Sequence, residues 1–168
     1  SNDFCRKSHI KSMRDYSEIY KKSIENPESF WAEKASELEW VKKWDTVLRS
    51  DQGFFKWFEG GYLNVCHNCL DRNVKAGKKD KIALMWEPES GDGKTYSYEK
   101  LLKEVCRFAN VLKKMGLKSG DVAQIYLPMI PELPIAMLAC ARLGIIHSVV
   151  FAGFSSDALR DGIQDSNA

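Results

Sequence analysis

Residues 121–151 constrain the fold more than any other part of the chain. "DVAQIYLPM" (Asp121–Met129) reads as a strand, "PELPIAMLACARLG" (131–144) as an apolar helix ending at Gly144, and "IIHSVVF" (Ile145–Phe151) as a second strand. Two strands joined through a helix of that length run parallel, because a short hairpin cannot connect parallel strands. Near-continuous apolar strands imply a sheet covered on both faces. The expected class is therefore α/β. One alternative is a membrane span from Leu133 to Phe154, but Arg142 sits near the middle of that run. A central arginine costs about 2.5–3.5 kcal/mol on insertion. Pro134, Gly144 and the β-branched second half also argue against a single spanning helix.

The flanking segments extend the same pattern. "SSDALRDGIQDSNA" (155–168) predicts a further helix capped by Ser155 or Ser156. Upstream, "SYEKLLKEVCRFANVLKKMG" predicts a helix capped by Ser97 and ended by Gly116. Leu101, Leu102, Val105, Phe108, Ala109 and Leu112 line its apolar face. "KIALMWEP" and "GKTYSY" read as a hairpin around ESGDG, and "NVCHNCLDRNVKAG" as a helix from Asn64 to Ala76 stopped by Gly77.

The first region is different in texture. Tyr16, Ile19, Tyr20 and Ile24 space as a short amphipathic helix. "NPESFWAEKASEL" predicts another, with Asn26 as N-cap, Pro27 at the first helical position and Trp31, Ala35 and Leu38 as its stripe. Residues 41–64 have no sustained period and read as an extended segment. Trp40, Trp44, Phe54, Phe55, Trp57 and Phe58 are expected to bury against another surface.

Composition excludes several classes. With 168 residues, 44% of them apolar, a real core is possible and wholesale disorder is excluded. A formal net charge of +2 with mixed signs gives no basic stripe, so no nucleic-acid partner is implied. Five cysteines, two of them (Cys106 and Cys140) on apolar helix faces, suit free thiols in a reducing compartment, and the first twenty residues are too polar for a secretory signal. The expected location is cytoplasmic, with no membrane partner.

Three stretches invite a chemical reading. "SGDGKT" (90–95) ends like a phosphate-binding loop, but Pro88 stands where the first glycine is needed and the flank alternates like a strand, so a hairpin turn is expected. "CHNC" (66–69) offers two thiols and an imidazole; without a second pair, thiols sharing a core-facing helix side are the simpler expectation. "FAGFSS" (151–156) leaves the carboxyl end of a parallel strand and opens a helix. Ligands of open parallel sheets gather at such ends, Gly153 permits close approach of a ligand, and the helix N–H groups suit an anion.

The sequence resembles the acetyl-CoA synthetase group of AMP-forming acyl-CoA ligases. The resemblance is carried by "SIENPESFWAEKASELEWVKKWDTVL", "WFEGGYLNVCHNCLDRNV", "YLPMIPELPIAMLACARLGIIHSVVFAGFSSDAL" and "IQDS". It implies a helical and extended lead-in over residues 1–63. Residues 64–168 would be the start of the adenylate-forming large domain, incomplete before its ATP phosphate loop. Such enzymes use ATP and Mg2+ to activate acetate and then pass the acetyl group to coenzyme A. The resemblance places Phe151, Ala152 and Gly153 against the adenine of coenzyme A and assigns no catalytic residue or metal ligand to this stretch. The chain has no Ser/Thr/Gly-rich loop ending in Pro-Lys-Gly and no Tyr-Arg-Thr-Gly-Asp-like motif. On its own it is expected to be inert, and to self-associate through uncovered sheet edges. A stand-alone nucleotide-binding or interaction module and a propionate-preferring ligase stay open as alternatives. Relatives usually have arginine where this chain has Gly162, which puts that side chain's contact in doubt.

Overall fold

The computed structural model describes residues 7–168; the first six, Cys5 among them, lie outside the described residues. The chain divides into two units, 1–63 and 64–168.

In the first unit, α1 (Met13–Glu25) starts at Ser12, whose hydroxyl accepts from the Asp15 N–H. Its stripe of Tyr16, Ile19, Tyr20 and Ile24 is exposed. α2 (Pro27–Ala35) begins with Pro27 in place, but the Asn26 side chain makes no capping bond. Asn26 still donates its N–H to the Lys22 carbonyl as the C-cap of α1. Its ψ of 64° differs from the extended value a capping side chain needs.

Residues 41–64 are more ordered than their lack of period implies. β1 (Thr46–Asp51) and β2 (Phe54–Glu59) pair antiparallel. Gln52 and Gly53 both have positive φ, 49° and 85°, as a tight hairpin turn of matching twist requires. Trp40, Trp44 and Phe58 form a ring cluster with centroids 4.9–5.6 Å apart, and Trp40 Nε1 donates to the Ala35 carbonyl at 2.8 Å. The expectation that all the rings bury is corrected here. Phe54 and Phe55 sit beside the hairpin turn, beyond that cluster, and are 77% and 65% exposed.

The second unit holds the core. Its first segment is helical from Val65 to Lys78, with π-type turns over His67–Asp71 and Val74–Lys78. Helical dihedrals break at Gly77 (φ 78°), inside the last turn rather than after it. β3 (Ile82–Trp86) and β4 (Lys94–Ser97) pair antiparallel, and α3 (Tyr98–Lys114) follows, capped by the Ser97 hydroxyl. β5 (Val122–Leu127), α4 (Glu132–Leu143) and β6 (Ile146–Phe151) form the parallel unit. Its register runs from Val122 opposite Ile146 to Leu127 opposite Phe151. α5 (Ser156–Ser166) completes the chain.

α4 is apolar because it is the centre of this core. Leu133, Ile135, Ala136, Ala139 and Cys140 are buried beside Leu101, Val105, Ala109 and Leu112 of α3 and Ile125 of β5. Period-two alternation turns Ala123, Ile125 and Leu127 toward that core and Gln124 toward α5, where a Cβ on Gly162 would lie 3.6 Å from its Oε1. α4 ends at Gly144, in the left-handed region at φ 72°.

Two side chains tie the first helical segment to the end of α4. Asn64 accepts from the His67 N–H and donates to the carbonyls of Ala141 and Arg142 at 3.0 and 3.2 Å. Arg142 grips both carboxylate oxygens of Asp71 at 2.7 and 3.0 Å, a planar two-bond fit. The arginine that argued against a membrane span is thus neutralised at the edge of the core. Among the described residues, no helix is long and apolar enough to cross a membrane.

The hydrogen bonds from Arg142 hold the Asp71 carboxyl below its ordinary pKa, against the opposing effect of burial. Asp71→Asn and Arg142→Met should each lower stability by about 2 kcal/mol near neutral pH. The native advantage over Asp71→Asn should be complete above the unfolded-state carboxylate pKa of about 4 and fade as pH falls through the lower folded value. Urea titrations across this range measure it; a difference independent of pH would contradict the assignment.

Candidate functional site

The parallel register brings the carboxyl ends of β5 and β6 to one edge, and the loop after Phe151 is built there. The Ala152 N–H reaches the Leu127 carbonyl at 3.4 Å, extending the ladder by one residue. The Phe154 N–H then donates to the Phe151 carbonyl at 3.0 Å, closing a four-residue turn. Ser155 follows in extended conformation, and its hydroxyl accepts from the Ala158 N–H to start α5. Ser97 caps α3 as expected, and of the two serines the sequence offered for the last helix, Ser155 is the cap.

Gly153 is required for close approach and not for an unusual φ. It lies outside the left-handed region, but a Cβ added to it would fall 2.6 Å from Cε1 of Phe151. The Phe151 ring therefore lies against the bare backbone of its own turn. Phe154 meets it edge-on, with centroids 6.2 Å apart. Phe151 is 47% exposed, Phe154 is exposed, and Ala152 is half-buried between them. The arrangement is an aromatic shelf open to solvent, suited to a flat apolar or heteroaromatic group.

The electrostatics do not favour an anion at this point. Asp157 occupies the first turn of α5, where it already complements the positive helix end. Arg160 is bound by Asp157 and Asp161. The helix start thus satisfies its own charge. The sequence expectation of a phosphate-type contact here is less apt than that of a neutral ring.

Tyr126 belongs to this site and was not anticipated from the sequence. Its hydroxyl lies 3.0 Å from the carbonyl oxygens of both Ala152 and Phe154. Strand alternation offered no warning, because the partners are 26 and 28 residues away. On the other face, a groove of about 600 Å³ opens between α3 and α4, floored by Phe108, Leu127, Ile135 and Ala136. Glu104, Glu132 and Lys100 rim it, with Lys100 drawn over the Tyr96 ring at 4.6 Å. Arg107 holds Glu104 at 3.1 and 3.2 Å, so the rim carries mixed charge.

The other candidate stretches are not brought to this site. "SGDGKT" runs from the β3–β4 loop into β4, as the hairpin reading requires, and Lys94 Nζ lies over the Trp86 ring at 5.6 Å. The expectation that Cys66 and Cys69 share a core-facing side is corrected. Cys66 is fully buried and Cys69 is exposed. The wider π-type turns rotate successive residues by less than an α-helix does, so the expected spacing no longer aligns the pair. Burial pushes the Cys66 thiol up, which outweighs the Arg142 guanidinium 3.6 Å away and keeps it a neutral thiol. Among the described residues, no group of three or more His, Cys, Asp or Glu side chains could hold a metal ion.

A parallel βαβ unit followed by a further helix at the carboxyl end of its last strand defines an α/β protein. Residues 16–69 match the family described as acetyl-coenzyme A synthetase N-terminus, and residues 70–168 match the family described as AMP-binding enzyme. The chain belongs to the AMP-binding enzyme family and carries the acetyl-coenzyme A synthetase N-terminus ahead of it. It is 51% identical over 168 residues to an acetyl-coenzyme A synthetase of Leptospira biflexa, covering 98% of this chain and 26% of that one. It is 50% identical over 170 residues to one of Campylobacter jejuni, covering 100% and 26%. Against one of Deinococcus radiodurans it is 47% identical over 157 residues, covering 94% and 24%. The chain thus spans about a quarter of the length of the curated relatives it matches.

Proposed function

We propose that this chain is the N-terminal part of an acetate–CoA ligase that activates acetate with ATP and Mg2+ to acetyl-AMP and transfers the acetyl group to coenzyme A. The observation that carries the reading is about 50% identity to acetyl-coenzyme A synthetases along nearly the whole chain, in their N-terminal quarter. Residues 1–63 would be the synthetase-type N-terminal extension and residues 64–168 the opening of the AMP-binding domain. Support comes from the division of the chain after Leu63. The two family matches meet a little later, between Cys69 and Leu70, inside the first helical segment of the second unit. Free thiols at Cys66, Cys69, Cys106 and Cys140 support a cytoplasmic location.

The residues present fit coenzyme A better than they fit ATP. Phe151, Ala152 and Gly153 offer a ring and bare backbone on which the adenine of coenzyme A can lie. Among the described residues nothing comparable serves a triphosphate and its metal: the glycine loop at 90–95 is a hairpin, and the groove rim has mixed, largely paired charge. Phosphoryl chemistry depends on placed positive charge, so this chain by itself should not run the reaction.

Three outcomes test the reading. The pure 168-residue chain should form no AMP in the presence of acetate, ATP and coenzyme A; acetate-dependent AMP would overturn its assignment as a non-catalytic part. In the full-length protein carrying this sequence, Gly153→Val should displace the Phe151 ring and raise the KM for coenzyme A about tenfold, equivalent to about 1.4 kcal/mol. Pyrophosphate exchange with acetate should be unchanged, and a preference for propionate in that assay would revise the substrate. The isolated chain should also self-associate. Among the described residues β5 and β6 pair only with each other, and Ile146, Val149 and Phe151 are exposed on β6. A monomer by light scattering at high concentration would reject this last point.

A further inference from the structure

We infer that Tyr126 is the positioning residue for the 151–154 turn, holding it in the shape that receives the base of coenzyme A; this rests on the reading of that turn given above. The geometry is direct. Tyr126 lies on β5 opposite Val150, one residue short of the turn on the neighbouring strand. Its hydroxyl is 3.0 Å from the Ala152 carbonyl and 3.0 Å from the Phe154 carbonyl. A phenol has one proton, so the two carbonyls share it as a forked bond. Both must point inward at one atom for that to happen.

The turn has few other restraints. Its backbone bonds are Phe154 N–H to Phe151 and the long Ala152 N–H to Leu127 contact, 3.0 and 3.4 Å. Gly153 adds freedom instead of removing it, because it has no side chain to pack. The hydroxyl binds the residues on either side of that glycine and so limits the freedom of the peptides between them. Its removal leaves the ring of residue 126, the β5–β6 ladder and the core beneath them in place. The loss should fall on the order of the turn and not on folding.

Tyr126→Phe, which deletes one oxygen atom, tests this in the full-length protein carrying this sequence. The KM for coenzyme A is expected to rise about three- to tenfold, the range of one net hydrogen bond. The maximal rate at saturating coenzyme A and the acetate-dependent pyrophosphate exchange should stay unchanged. In the same full-length protein, amide hydrogen exchange should quicken at Ala152–Phe154 and stay unaltered along α3 and α4. If Gly153→Val raises the KM for coenzyme A and Tyr126→Phe does not, the positioning role is wrong and the site stands. If neither variant alters it, the site itself is wrong and the inference falls with it. If Tyr126→Phe weakens pyrophosphate exchange or the melting temperature along with coenzyme A affinity, the residue serves folding generally, and the inference is overturned.

Discussion

The parallel pairing of β5 with β6 is the constraint on which the second unit depends. Parallel strands cannot be joined by a tight turn, so the chain must leave β5, cross the sheet as α4 and return. A helix in that position touches strands on one side and α3 on another, which is why its sequence is apolar around most of its circumference. Small residues at Ala136, Ala139 and Cys140 let the neighbouring elements approach. The cost is a helix end that must stop beside buried groups. Gly144 supplies the left-handed residue, Asn64 donates to the carbonyls of Ala141 and Arg142, and Asp71 takes the charge of Arg142.

The same parallelism creates the candidate site. Because both strands run the same way, their carboxyl ends share one edge, and a side chain near the end of β5 can reach the turn after β6. In an antiparallel pair the residue opposite Tyr126 would precede a different loop. The aromatic shelf is thus a consequence of topology first and of residue identity second. Phe151 is presented there because its ring can lie on a glycine two residues ahead, a contact that any Cβ would prevent.

Much of this second unit was legible from residue spacing. α3 announced itself by its apolar stripe and by Ser97, and α4 by its length and by Gly144; both caps are used. The first unit was harder. β2 carries rings on neighbouring positions and β1 turns polar after Leu48, so no alternation marked them, and a Gln-Gly turn is a weaker signal than Asn-Gly or Asp-Gly. Asn26 was placed correctly as a boundary but not as a capping side chain, because one residue had to end α1 and begin α2. Cys66 and Cys69 were misplaced for a different reason. Their spacing was judged on an α-helical wheel, and the chain there is wound more widely. Phe151, Ala152 and Gly153 could be singled out as a strand-end motif. Tyr126 could not, since its meaning lies in two carbonyl oxygens that only the fold brings to it.

Charge separates what this part of the chain can do from what it cannot. The helix start beside the shelf is occupied by Asp157, Arg160 is held by two aspartates, and the neighbouring groove is rimmed by Glu104 and Glu132. On the proposed reading, a nucleotide brought to this edge would find a surface for its base, while Arg160, the cation beside it, is already held by carboxylates. Discrimination of that kind orients a ligand: the neutral end is drawn in and the charged end is turned outward. On the proposed reading, the cationic groups that meet the ligand's phosphates belong to the polypeptide that in the relatives follows this quarter. The shelf would then set the direction of coenzyme A before any group that reacts with it is engaged. On that reading, a turn with no catalytic residue is held by a hydroxyl because its contribution is orientation, which depends on shape and not on charge.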